Sequence, residues 1–422
     1  MDRREQDELI ARIRESIGSN EAGKARKNGG GGSGPDWLKL CVRGEGKRGP
    51  PLAILENAYI ALSNDLTLKD KFKFDAMLRR PMIINSAPRP VTDDDVHDLQ
   101  RYLQRSGLKK IGRDTTFDGI CNYSLDHVYH PLRDWLQTLE WDGTQRIHNW
   151  VTTYLGVAAT SYCNTIGAMF LISMIARVMR PGCKADHMLI LEGPQGILKS
   201  TACRVLASDQ YFSDSLPSIE SKDVSIHLAG KWLIEVPEMH AFSKHDATML
   251  KAFLSRDIER YRPVYARIDT DEPRQCVFIG TSNKDAYLRD ETGGRRFWPV
   301  KCGVIDIAAL KRDRDQLLAE ALAQFRQGAP WWPEPAFEAE FIQPEQEKRY
   351  EIDEWDELIG DYVDNRLFTP TVTIPTIAKE AIGLEASRLD MLAQKRIAAI
   401  LTRRGWSRFA RHGKRGWEHE HA

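Results

Sequence analysis

The stretch HMLILEGPQGILKS, which runs from His187 to Ser200, decides the fold of this chain. Its first part, Met188 to Leu191, is short and wholly apolar, which is typical of a parallel strand covered on both faces. The residues that follow it at the spacing of a phosphate-binding P-loop are Gly193, Gly196, Lys199 and Ser200. A helical pattern starts at Thr201, so the stretch predicts a strand, a loop and a helix of an α/β protein.

The chemistry of phosphate binding explains the residue types in this loop. Backbone N–H groups must approach phosphate oxygens closely, and the N-terminus of the following helix favours the same anion. Lys199 would reach the β- and γ-phosphates of ATP, and the Ser200 hydroxyl would bind Mg²⁺. The residues predicted to bind the nucleotide are Gly193, Pro194, Gln195, Gly196, Ile197, Leu198, Lys199, Ser200 and Thr201.

Leu198 departs from the P-loop pattern, because the residue before the lysine is usually glycine. A leucine adds bulk and restricts φ where glycine would be free. Two interpretations follow from the loop alone. One is a working nucleotide site, and the other is an ordinary strand–loop–helix with a chance lysine.

The composition describes a globular protein of two or three domains in 422 residues. Sixty basic and sixty acidic residues cancel, so net charge by itself does not indicate a nucleic-acid partner. The seven cysteines are scattered without a CxxC pair, which favours a reducing cytoplasm over a disulfide framework or a zinc site. The longest apolar stretch, Ile166 to Met179, predicts a buried helix, and no membrane partner is expected.

Two acidic residues come at the end of the next apolar strand, KWLIEV, from Lys231 to Val236. A strand that ends in carboxylates after a P-loop suits Mg²⁺ binding and the activation of water. We assign Glu235 to the magnesium shell and Glu238 to water activation, and the reverse assignment stays open. In the plainer interpretation, one of the two is a solvent-facing acid at a helix N-terminus.

A basic and aromatic stretch, SRDIERYRPVYAR, follows a predicted helix from Lys244 to Leu254. Arginines alternate there with Tyr261 and Tyr265, a pattern that lines nucleic-acid channels. The alternative is a solvated face on which the arginines pair with Asp257 and Glu259. The candidates for nucleic-acid contact are Lys251, near the end of that helix, and Arg260, Arg262 and Arg267 in the stretch itself.

A third buried strand, Gln275 to Gly280, ends in Thr281, Ser282 and Asn283. An amide such as that of Asn283 at a strand tip orients an attacking water or senses the γ-phosphate.

A glycine turn in LRDETGGRRFWPV then presents Arg295 and Arg296. An arginine finger, which stabilises charge on the transferred phosphate, requires an exposed arginine on a turn of this kind. The alternative is a surface turn whose arginines pair with the neighbouring acids. Which of the two arginines would act stays open.

These pieces together resemble the virulence-associated E family of phage- and plasmid-type ATPases, which are close to superfamily 3 helicases and the AAA+ class. The resemblance rests on five segments in this order: GPQGILKST, KWLIEVPEM, LKAFLSRDIERYRPVYAR, CVFIGTSN and LRDETGGRRFWPV. It implies a P-loop NTPase core of AAA+ type, with the GPQGILKST loop as Walker A and Glu235 and Glu238 in Walker B.

The resemblance further implies roles for the downstream segments. Residues Lys251 to Arg267 match the motif that faces the DNA pore, Asn283 matches sensor 1, and Arg295 or Arg296 matches the finger. Such ATPases form rings, commonly hexamers, with ATP between subunits. Relatives often carry a primase domain upstream, but residues 1–110 lack the acidic cluster of primer synthesis, so a primase is expected only as a partner.

The chain is predicted to divide into five parts along its length. They are a charged helix with a flexible linker (1–34), a mostly helical N-terminal region (35–180), the P-loop core (181–328), an acidic connector with prolines (329–354) and a small basic domain (355–422).

The sequence of residues 355–422 predicts three helices followed by a hairpin, which is a winged-helix pattern. A protein-interaction domain with a basic face is the alternative to a DNA-binding one. The residues predicted to contact nucleic acid there are Lys395, Arg396, Arg403, Arg404, Arg408, Arg411, Lys414 and Arg415.

Two functions therefore compete at the level of sequence. The first is an ATP-dependent DNA helicase or translocase of phage or mobile-element replication, with ATP and Mg²⁺ at the P-loop and single-stranded or forked DNA as partner. The second is a non-catalytic DNA-binding or initiator protein in which Leu198 has degraded the P-loop. A small-molecule kinase is disfavoured, because the chain offers no evident acceptor pocket.

Overall fold

The computed structural model describes residues 35–45, 49–221, 223–239, 244–262, 268–288, 294–350, 353–364, 371–411 and 414–419. The chain forms two compact units. One comprises Met1–Ala76 and Arg80–Tyr129, and the other comprises Met77–Arg79 and His130–Ala422. The predicted N-terminal helix and linker, residues 1–34, lie outside the described residues.

The first unit is a small sheet with three helices in its described part. The helices are α1 (Leu55–Asn64), α2 (Asp93–Ser106) and α3 (Arg113–Leu125). The strands are β1 (Phe72–Asp75), β2 (Arg80–Ile83), β3 (Arg89–Pro90) and β4 (Val128–Tyr129), in the order β3-β2-β1-β4. Most of the regular structure within 35–180 is helical, but the sequence analysis did not predict these four strands, because strands of two to four residues are too short to show an alternating pattern.

The second unit contains a five-stranded sheet in which all neighbouring strands are parallel. Its strands are β5 (Met188–Glu192), β6 (Phe212–Ser213), β7 (Leu233–Val236), β10 (Val277–Ser282) and β11 (Phe297–Lys301), in the order β11-β5-β10-β7-β6. A separate antiparallel pair joins β8 (Ile258–Tyr261) to β9 (Thr270–Pro273). The predicted α/β fold with a parallel sheet is confirmed.

Helices cover the sheet of the second unit. In chain order they are α4 (Pro131–Thr138), α5 (Trp150–Leu155), α6 (Ser161–Met179), α7 (Lys199–Ala207), α8 (Val224–His227), α9 (Lys244–Leu254) and α10 (Ile307–Arg326). Leu189 and Leu191 of β5 face a core built with α6 and α10, whereas Met188 and Ile190 face a second core with α9. This two-sided burial is why the β5 sequence is apolar throughout.

Helix α6 is long and apolar enough to cross a membrane, and it alone passes that test within the described ranges. Most of it is buried inside the protein, including Phe170, Leu171 and Met174. It is therefore a core helix of the second unit, as its sequence predicts.

Residues 329–350, which the sequence predicts as a connector, are packed into the second unit. They form α11 (Pro335–Phe337), a π-helical turn (Glu338–Ile342) and α12 (Gln343–Glu347). Ile342 and Gln346 are buried, because this segment lies against β11 and the core below it. The sequence analysis did not predict this packing, because prolines and glutamates are typical of an exposed connector.

The C-terminal part has its own small core. Its helices are α13 (Glu354–Asp364), α14 (Ile374–Glu380) and α15 (Met391–Arg403), and its strands are β12 (Thr371–Val372), β13 (Trp406–Arg411) and β14 (Lys414–His419). The strands form an antiparallel sheet in the order β12-β14-β13. Ile397, Leu401 and Trp406 are buried at its centre.

Candidate nucleotide-binding site

The loop between β5 and α7 takes the backbone form that its glycines predict. Gly193 and Gly196 have φ values of 145° and 86°. Leu198 also has a positive φ, 71°, and this left-handed conformation costs a non-glycine residue about 1–2 kcal/mol. The loop thus keeps a glycine-type conformation at Leu198 without a glycine, and α7 begins at the next residue.

Lys199 closes this loop through its side chain. Its Nζ donates to the carbonyl oxygens of Gly193 at 2.6 Å and Pro194 at 2.8 Å, and to Oδ1 of Asn283 at 3.1 Å. The residue is only 8% exposed, and burial lowers the pKa of its ammonium group. The structure therefore brings the lysine and the exposed Asn283, which follows β10, to one point at the carboxyl edge of the sheet.

A hydroxyl and a carboxylate meet beside the loop. Ser200 Oγ donates to Glu235 Oε1 at 2.7 Å, and Thr281 Oγ1 donates to the same oxygen at 2.9 Å. Glu235 is 2% exposed, and its Oε2 is buried without a hydrogen-bond partner among the described residues. A buried carboxylate oxygen without a donor is costly unless a cation compensates it. Hard oxygen donors of this kind fit Mg²⁺, which Ser200 and Glu235 are placed to hold.

Glu238 differs from Glu235 in its exposure, its position relative to the strand and its backbone conformation. It is exposed, it lies beyond Pro237 outside the buried strand β7, and its φ is 51°. A non-glycine residue in this region is strained, and such strain concentrates at functional positions. Of the two acids, Glu235 is therefore the one that Ser200 contacts and that could hold a metal ion beside it, whereas Glu238 faces solvent.

The two candidate finger residues lie away from the loop of their own chain. They precede β11, whose first residue, Phe297, pairs with Met188, the first residue of β5. The loop follows the other end of β5, roughly 16 Å away along five strand residues. Arg296 has its Nε 3.4 Å from Oδ2 of the buried Asp186, whereas Arg295 is exposed.

The core residues predicted to touch nucleic acid divide into three groups. Lys251 is 6% exposed and its Nζ lies 5.7 Å from the centre of the Phe297 ring, so the prediction that it faces DNA is wrong for this structure. Arg260 and Arg262 are exposed on the β8–β9 hairpin. Arg267 lies outside the described residues.

Four of the eight predicted C-terminal basic residues form ion pairs with acids that the sequence analysis did not weigh. Arg396 pairs with Asp353 at 2.5 Å and stacks on Trp355, and Arg403 and Arg404 both pair with Asp356. The prediction that these three arginines contact phosphate is not supported. Arg411 pairs with Glu418, and Lys414 lies in β14. Lys395, Arg408 and Arg415 are exposed and form no ion pair with another described residue.

Sequence reasoning missed Thr281 at this site and Arg274 at the opposite edge of the sheet. Thr281 was noted only as part of a strand end, although its hydroxyl shares Glu235 with Ser200. Arg274 was not singled out at all, yet it is buried and pairs with Glu259, an acid interpreted as solvent-facing. Its signal was available, since an arginine directly before a buried strand is rarely left without a partner.

A family model described as the virulence-associated protein E-like domain matches residues 136–351. The chain belongs to this family, as its five ordered segments predict. No curated protein sequence matches the chain significantly.

Several solved structures are similar to the chain at low identity. An apo A form of the NrS-1 C terminal region is 11% identical, with 82% of this chain and 96% of that chain covered and a TM-score of 0.46. A second apo A form of the same region is 13% identical, with 86% and 98% covered and a TM-score of 0.44. A mutant of Thermotoga maritima RuvB is 15% identical, with 61% and 92% covered and a TM-score of 0.24.

Proposed function

We propose that this chain is an ATP-dependent DNA helicase or translocase of phage or mobile-element replication. The observation that carries the proposal is the meeting of Lys199, Ser200 and Glu235 at the carboxyl edge of a parallel sheet. Ligands bind at this edge in open α/β sheets. Membership of the virulence-associated E-like family supports the same assignment.

The residues at the proposed site would have separate roles in the binding and hydrolysis of ATP. Backbone N–H groups from Gly193 to Thr201 would surround the phosphates, and Lys199 would exchange its carbonyl contacts for the β- and γ-phosphate oxygens. Ser200 and Glu235 would hold Mg²⁺, which neutralises charge on those oxygens when bound. Asn283 and Glu238 would orient and activate the attacking water.

A neighbouring subunit would complete the site. Arg295 is exposed at the amino edge of the sheet and does not reach the loop of its own chain. In a ring, commonly a hexamer, the exposed Arg295 would contact the phosphate bound by the next subunit. Arg296 would support it by pairing with Asp186.

DNA would be held by exposed basic side chains in two places, although Arg260 in the first of them also lies 3.8 Å from carboxylate oxygens of Asp269 and Asp271. One is the β8–β9 hairpin with Arg260 and Arg262, and the other lies on the C-terminal domain, which we interpret as a winged helix over residues 355–422. In that domain α15 would enter a groove and the β13–β14 hairpin would lie beside it as the wing. The exposed residues available for phosphate contact there are Lys395, Arg408 and Arg415.

The first experiment is steady-state ATP hydrolysis titrated with single-stranded DNA. We expect turnover that DNA stimulates and that Lys199→Ala abolishes while the variant stays folded. The matched control is Lys301→Ala, which removes an exposed lysine at the end of β11 and should leave turnover unchanged. Turnover that persists in Lys199→Ala would refute the site.

Absence of turnover in the natural protein would favour the non-catalytic alternative. Leu198→Gly then tests whether leucine has degraded the loop. Because Leu198 already holds the left-handed conformation, we expect Leu198→Gly to change ATP affinity less than threefold, which is under about 0.7 kcal/mol. A large gain in ATP affinity in this variant would support the degraded P-loop instead.

A further inference from the structure

A buried ion pair lies directly at the root of the nucleotide loop. Glu192 is the last residue of β5, precedes Gly193 and is 2% exposed. Arg349 donates to both of its carboxylate oxygens, with Nε and Nη2 each at 2.8 Å. The hydroxyl of Tyr287 donates to Glu192 Oε1, also at 2.8 Å. The carboxylate is thus held by three donors in a fixed, two-pronged geometry.

The segment that contains Arg349, residues 345–349, also contacts two other parts of the second unit. The backbone N–H groups of Tyr287 and Leu288, a few residues after Asn283, both donate to the carbonyl oxygen of Arg349 at 2.9 Å. Gln346 Nε2 donates to the carbonyl oxygen of Phe297, the residue after Arg296, at 2.8 Å. Residues 345–349 therefore join the loop, the segment after Asn283 and the start of β11.

The Glu192–Arg349 ion pair lies at a position where two apolar side chains could be buried equally well. It lies on the β5 face of Met188 and Ile190, and burial of two charges contributes little net stability compared with an apolar pair. The ion pair instead fixes the position of the Glu192 backbone. The next residue, Gly193, accepts a hydrogen bond from Lys199 through its carbonyl oxygen. A shift of about 1 Å in a catalytic loop lowers turnover by up to about a hundredfold.

We propose that Arg349 is a positioning residue of the nucleotide site, which acts through Glu192 and Tyr287 to hold the loop and Asn283 in register. This inference rests on the proposed ATPase function. Arg349 does not touch the nucleotide, so its loss should lower kcat rather than weaken the binding of ATP.

The test compares single and double variants in the full chain with DNA present. Arg349→Met and Glu192→Leu should each lower kcat about tenfold to a hundredfold, with KM for ATP changed less than about threefold. Lys110→Met is the control with the same change of charge, because it removes an exposed positive charge in the first unit and should leave both constants unchanged. Arg349→Lys should restore only part of kcat, since lysine cannot make the two-pronged contact.

The double variant Glu192→Leu/Arg349→Met separates positioning from mere structural support. It replaces the charge pair with an apolar pair, so Tm should recover toward that of the natural protein while kcat stays low. Recovery of kcat together with Tm would overturn the inference and show a purely structural pair. If the natural protein lacked turnover, the proposed ATPase function would fail; if it turned over and Arg349→Met equalled it, only this inference would fail.

Discussion

At the scale of single residues, His187 shows how a side chain beside the sheet links stability to pH. Its ring stacks on Trp298 with centroids 4.4 Å apart. Burial lowers the pKa of His187 from 6.5 to about 4, against the opposing pull of Asp186 and with smaller contributions from Lys184, Arg295 and Arg296. The folded protein therefore favours the neutral ring.

We expect this histidine to make the second unit less stable in mild acid. Because the folded pKa lies below the unfolded value, the contribution is complete above pH 6.5 and is lost as pH falls toward 4. His187→Phe keeps an aromatic stack without a titrating group, so between pH 7 and pH 5 it should lose about 2 kcal/mol less unfolding free energy than the natural protein. Urea titrations at both pH values measure this; equal losses would contradict it.

At the scale of elements, the C-terminal domain shows that a basic sequence does not make a basic surface. Helix α13 supplies Asp356 to Arg403 and Arg404, while Asp353, just before it, pairs with Arg396. Lys395 of α15 and the hairpin residues Arg408 and Arg415 remain exposed. The face available to phosphate is therefore narrower than the sequence indicates.

The hairpin arginines should carry the salt-dependent part of DNA binding by this domain. We expect Arg408→Ala and Arg415→Ala each to weaken binding at every DNA sequence and to reduce the slope of log Kd against log salt by about one. Arg403→Ala is the control with the same change of charge; its guanidinium is held by Asp356, so the slope should barely change. Fluorescence anisotropy at several salt concentrations measures this, and equal slopes for Arg403→Ala and Arg408→Ala would refute the assignment.

At the scale of the whole molecule, the two halves of the proposed site lie at opposite edges of one parallel sheet. The loop with Lys199 follows β5, whereas Arg295 precedes β11, which pairs with β5 in parallel. One chain therefore does not bring Arg295 to its own phosphate site. In the proposed ring, a neighbouring subunit would supply the missing half, because each subunit would offer one edge of its sheet to the next.

Mixing two inactive variants tests this arrangement. Lys199→Ala and Arg295→Ala should each abolish most DNA-stimulated turnover, since a finger contributes about 10³-fold or more. A one-to-one mixture should regain about a quarter of the natural turnover, because a quarter of shared sites combine an intact lysine with an intact arginine. Two Lys199→Ala preparations mixed together serve as the control. A mixture that stays inactive would show that Arg295 does not act on a neighbour.

Features that depend on residues close together along the chain could be predicted from the amino-acid sequence. An apolar run, a glycine loop and a lysine at fixed spacing specify a buried strand, a P-loop backbone and a helix start, because each requirement is local. The order of the five motifs likewise identified the family and the parallel sheet. Even at Leu198 the local pattern prevailed over the residue type, since the backbone adopts the glycine conformation.

The pairing of charged groups, by contrast, could be established only from the three-dimensional fold of the described residues. The partners that settle this are far apart in sequence: 43 residues separate Arg396 from Asp353, and 157 separate Arg349 from Glu192. The short strands of the first unit and the burial of Lys251 have the same origin. Ion pairing and burial depend on which distant segments fold together, and no local pattern of residue types records that choice.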